Sequence, residues 1–129
     1  MELLIPVSPG ELLDKLAILE IKLERIDDAA KRAYIEREHA LLSQVWKQAG
    51  VDDEVVAEFR LALRRVNEAL WDIENAIRSH ESRSDFGEDF VQLARSVYIR
   101  NDERAAIKKR INEALGSDIR EEKSYSSYR

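Results

Sequence analysis

Apolar residues recur along the chain at helical spacing in four separate runs. Leu12, Leu16, Leu19, Leu23 and Ile26 follow a 4-3-4-3 pattern, one continuous stripe on a helix. Ile18 and Ile21 fall on a different side. This first helix is therefore expected to lie between neighbours or to offer one side to a partner chain. Ile35, Leu42 and Trp46, joined by Leu41 and Val45, make the second stripe, and His39 falls within it. Val56, Phe59, Leu63, Val66, Leu70, Ile73 and Ile77 alternate 3-4 over three heptads. Beside them run Val55, Ala62, Ala69 and Ala76, small enough to admit a close neighbour. The opposite flank, Asn67, Trp71, Glu74 and Arg78, is polar apart from one indole. The fourth run opens with Phe90, Ala94 and Val97.

Punctuation between the runs sets the boundaries. Ser8, Pro9 and Glu11 read as cap, first helical position and capping-box partner. Asp27 and Asp28 break the chain, and Gly50 suits a left-handed helix end. Asp52, Asp53 and Glu54 place acids at the positive end of the third helix dipole. Asp85, with Glu88 three residues later, is the expected cap of the fourth helix. The predicted helices are 9–26, 29–49, 53–81 and 88–115 of one helical domain, residues 1–129. An extended arm, 1–7, and a tail, 117–129, flank them. The fold class is all-α, an up-and-down four-helix bundle or two long helical hairpins. Ile119 can pair with the N-terminal arm as a short two-stranded ribbon; the alternative for 124–129 is a frayed terminus. The last two helices, at roughly 40 Å, outrun the first two at roughly 30 Å. That mismatch points to a homodimer.

Composition narrows the function classes. Charged residues make up 36% of the 129-residue chain and aromatics 7%, the balance of a helix-rich soluble protein. With no cysteine there is no disulfide, thiolate metal site or thiol nucleophile. A net charge of −5 opposes non-specific nucleic-acid binding. No apolar run approaches the roughly 20 residues of a membrane span, and the start lacks a signal peptide's positive region. The expected location is cytoplasmic, with neither nucleic acid nor membrane as partner. The acidic pairs Glu20 with Glu24 and Glu11 with Asp14 do not assemble a metal set, and the expectation is no metal and no cofactor.

The fourth helix carries the chemistry. Continuing its apolar stripe at helical spacing gives Asn101, Arg104 and Lys108 before Ile111 and Leu115. Cations at core spacing must find carboxylates, reach water or hold an anion. Alternatively, the helix rotates so that Ile107 takes the core position and Arg104 and Lys108 flank it. In antiparallel packing this polar half faces the first helix near Asp14 and Lys15 and the third near Asn67 and Trp71. The candidate ligand-binding set is Lys15, Asn67, Trp71, Arg78, Asn101, Arg104 and Lys108. Asp14 and Glu74 are the candidate acid–base groups. Such a cluster suits a small anionic metabolite held by Arg and Lys against an indole wall. Whether catalysis follows is open. The competing reading is a non-catalytic dimerisation or adaptor module whose polar seam sets helix register.

Five phrases carry a resemblance: PVSPGELLDK at 6–15, ILEIK at 18–22, LWDIE at 70–74, ARSVY at 94–98 with Asn101 and Asp102, and EEKSY at 121–125. Together they resemble an uncharacterised family of small bacterial proteins, a domain of unknown function, over nearly the whole chain. Ala17 and Asn75 depart from that pattern. The resemblance implies the fold and a bacterial origin, brings no activity with it, and implies an ordered tail.

Overall fold

A computed structural model describes residues 1–128. Four helices follow in order: α1 (Pro9–Arg25), α2 (Ala29–Ala49), α3 (Asp53–Ser82) and α4 (Glu88–Ala114). The fold is an all-α helical bundle. Among the described residues there is no strand. The expected ribbon therefore does not form, because the N-terminal arm leads away exposed while the tail lies along α4. Of the 124–129 terminus, position 129 lies outside the described residues.

The helix starts follow local chemistry. Ser8 Oγ accepts from the Glu11 amide at 3.2 Å, Asp28 from Lys31 at 2.9 Å and Asp52 from Glu54 at 3.0 Å. These side chains satisfy amides that have no partner within the helix. At α4 the cap is Gly87, not Asp85. Asp85 instead accepts from the Gly87 amide at 3.3 Å and lies 3.2 Å from His80 Nδ1.

Helix α1 is the centre of the molecule. It packs against α2, α3 and α4, and α3 packs against α4, whereas α2 makes its backbone approach to α1 alone. Its buried residues include Leu12, Leu13, Leu16, Ala17, Leu19 and Ile21. At ~100° per residue these sweep over half the circumference. Full burial stabilises each large aliphatic side chain by about 1.5–3 kcal/mol. Leu12, Leu13, Leu16 and Ala17 meet Trp46, Val56, Leu63 and Ile111 in one core. Trp46 also donates from Nε1 to Asp53 at 3.1 Å, tying the end of α2 to the start of α3.

The start of α1 crosses the end of α4 very closely. A Cβ on Gly10 would stand 2.7 Å from the Lys108 carbonyl oxygen and 2.9 Å from Asn112 Oδ1. Only glycine fits there. The Gly10 amide donates to Asn112 Oδ1 at 2.8 Å, so the neighbouring helix satisfies one of α1's orphan donors. This crossing brings the polar half of α4 against Asp14.

Candidate functional site

The site begins with the cation positions on α4. Both alternatives for its seam are partly realised: Ile107 packs at the edge of the core, yet Arg104 and Lys108 also turn inward. Ile111, one turn further, is fully buried.

Two polar arrangements result, one turn apart. In the first, Asp14 Oδ1 accepts from Asn67 Nδ2 at 2.7 Å, and Asn67 Oδ1 accepts from Arg104 Nη1 at 3.1 Å. Arg104 Nη2 donates to Asn101 Oδ1 at 2.7 Å. Asp14 and Asn67 are both buried, so each needs such a partner. Two amide oxygens thus fix the plane of the guanidinium. Among the described residues no carboxylate forms an ion pair with it.

In the second, three acids surround Lys108. Its Nζ lies 2.7 Å from Glu11, 3.6 Å from Asp14 and 3.6 Å from Glu121. Burial by itself lowers the pKa of this ammonium. The Glu11 hydrogen bond and the charges of Asp14, Glu11 and Glu121 outweigh that effect and raise it.

Beyond α4 the tail turns back along the helix. Gly116, at φ 63°, makes the reversal. The Ser117 amide bonds the Asn112 carbonyl at 2.9 Å and the Gly116 amide bonds that of Glu113 at 3.3 Å. This is a Schellman helix end. Further on, the Tyr128 hydroxyl donates to Asp102 at 2.7 Å and its ring meets Tyr98 edge-on at 4.9 Å between centroids. Between α4 and this tail lies an open groove of about 920 Å³, lined by Arg104, Asn101, Tyr98, Lys123 and Tyr125 among others.

Of the residues singled out from the sequence, the fold gathers Asp14, Asn67, Asn101, Arg104 and Lys108. Lys15 pairs with Glu38 of α2 at 3.1 Å, away from this cluster. Trp71 is covered by the Arg25 guanidinium, 5.9 Å from the ring centroid. Glu74 and Arg78 pair with each other at 3.4 Å on the exposed surface. Glu20 faces Arg60, and Glu24 bonds Arg64. Among the described residues no three or more His, Asp or Glu side chains are placed so that they could hold a metal ion. Glu11, Asn112 and Glu121 join the cluster without having been singled out for it. Glu11 and Asn112 each lie one turn from a residue that had been, on the same helix face. Glu121 comes from the non-periodic tail, where spacing says nothing.

The fold and the buried polar cluster define a small helical protein with charge chemistry between its first and last helices. The chain belongs to the Family of unknown function (DUF6165), whose family model matches residues 3–128. No curated protein and no solved structure matches it. Among the described residues no helix is long and apolar enough to cross a membrane.

Proposed function

We propose that this protein binds a small anionic metabolite in the groove between α4 and the tail, with Arg104 as the principal ligand. The observation that carries this reading is the state of Arg104. Its guanidinium is held in one plane by Asn67 and Asn101 and has no carboxylate partner among the described residues. A cation oriented in advance by neutral groups keeps its charge available and loses little freedom on binding. Lys108, the other cation of the seam, is already neutralised by its acids, so its part is structural. A cysteine-free chain is at ease in a reducing compartment, and we place this binding role in the cytoplasm.

A thermal-shift series over small carboxylates and organic phosphates tests the proposal. A ligand at a hundredfold excess over its Kd adds about 2.7 kcal/mol. That is roughly 10 °C of Tm for a domain of this size. Arg104→Met should remove the shift, and the absence of any stabilising anion for the wild type would defeat the reading.

A second reading, a self-associating module, is favoured by the N-terminal arm. Leu3, Leu4 and Ile5 are 79%, 97% and 72% exposed. A homodimer would cover them. Light scattering across a concentration series decides this: a Leu4→Glu variant of unchanged mass in solution counts against the arm's role.

A further inference from the structure

The groove has two walls, and only one of them is α4. The other is the tail, which is fastened at two points. Glu121 reaches Lys108, and Tyr128 bonds Asp102 while its ring lies against Tyr98. Between these fastenings, Lys123 and Tyr125 line the groove on the side away from the helix. Lys123 is drawn only weakly to an acid, Glu121 at 3.7 Å, and that same acid is shared with Lys108 at 3.6 Å.

The donors and acceptors in the groove are unequal. Asn101 spends its oxygen on Arg104, which leaves its amide N–H groups turned elsewhere. Arg104, Lys123, Tyr125 and Ser126, which also line the groove, all carry donor groups. Among the described residues the acid in the lining is Asp102, and it is engaged by Tyr128. A carboxylate monoanion offers two oxygens and one charge. A phosphate monoester offers three oxygens and close to two charges near neutral pH. It matches two cations on facing walls and the surplus of donors.

We infer that the tail, residues 117–128, is a strap that completes the site, and that the ligand is a phosphate monoester or comparable dianion held between Arg104 of α4 and Lys123 of the strap. This rests on the anion-binding reading above and adds the ligand's charge class and a second ligating wall. Lys123 is then the residue that sets the preference for a dianion, while Arg104 is needed for any anion.

The test uses the full chain, labelled with ¹⁵N, and two probes carrying the same ring: phenyl phosphate, a dianion at pH 7.5, and benzoate, a monoanion. Affinities come from amide and side-chain shift titrations. Wild type should bind phenyl phosphate at least about tenfold more tightly than benzoate, the ratio expected from one added charge pair in a partly desolvated groove. Lys123→Met should remove most of that ratio and leave benzoate within about twofold. Lys123→Arg should restore it, which separates lost charge from a disturbed strap. Arg104→Met should weaken both probes. If both probes bind wild type and Lys123→Met leaves their ratio unchanged, or weakens both equally, the strap inference is overturned and the Arg104 site stands. If neither probe binds wild type, both readings fall.

Discussion

Arg104 and Lys108 are cations one helical turn apart, and they meet opposite surroundings. Lys108 sits among three acids, so its charge is part of the fold. Its pKa is raised above the ordinary 10.5, burial being outweighed by Glu11, Asp14 and Glu121. A group whose folded pKa is raised stabilises the protein fully below its unfolded value. That stabilisation is lost as pH rises through the folded value. Urea unfolding between pH 9 and 12 should therefore show stability falling above about pH 10.5. Lys108→Met should flatten the decline, and an equally steep decline in the variant would show that other groups cause it. Asp14 is the more exposed test of the cluster's cohesion, because it serves both arrangements. Asp14→Ala leaves the Asn67 amide without its buried acceptor and withdraws one acid from Lys108. The expected cost is about 2 kcal/mol in denaturant unfolding. A loss below about 0.5 kcal/mol would mean that water or a neighbour replaces the carboxylate.

At the scale of the helix, the decisive contact is the crossing of α1 over α4 at Gly10. Gly10→Ala places a methyl group against the Lys108 carbonyl oxygen, which is backbone and cannot swing away. Overpacking of this kind costs about 1–3 kcal/mol. The accompanying shift should also lengthen the Gly10 to Asn112 hydrogen bond, which faster exchange of the Gly10 amide would report. An unchanged Tm for Gly10→Ala would show that the two helices separate freely. The helices themselves are legible in the sequence because their stripes are long and their starts carry capping residues. The polar seam is legible because Asn101, Arg104 and Lys108 occupy positions where burial was due. Height along an axis is what periodicity does not convey. Trp71, Glu74 and Arg78 share the flank of Asn67, but each further turn moves about 5.4 Å along α3. They lie beyond the reach of Arg104 and find Arg25 or one another. Of the three acids around Lys108, Asp14 was expected there, whereas Glu11 and Glu121 were equally hard to foresee. Glu11 has the signature of a capping box, yet its carboxylate goes to Lys108. Glu121 arrives only because Gly116 turns the chain around.

Across the whole molecule, stability is unevenly shared. Helix α1 is surrounded on three sides, whereas Trp46 is the one buried side chain of α2 among the described residues. Helix α2 should therefore open before the rest. Native-state hydrogen exchange should give its central amides an opening free energy lower than those of α1 by roughly 2 kcal/mol. Matching values for both helices would mean that the bundle opens as one unit. The α1–α4 crossing has a further consequence, in time rather than in space. The bond from Gly10 to Asn112 spans 102 residues. At a synthesis rate of about 5–20 residues per second, the first helix waits roughly 5–20 s before the residue that caps it has been made. Through that interval Leu12, Leu13 and Leu16 can meet Trp46, Val56 and Leu63 but lack Ile111, the α4 side of their core. A nascent chain of this design emerges with α1 ahead of the helix that closes one side of its core. Its yield in a cell should depend on whatever shields that segment until α4 has been made.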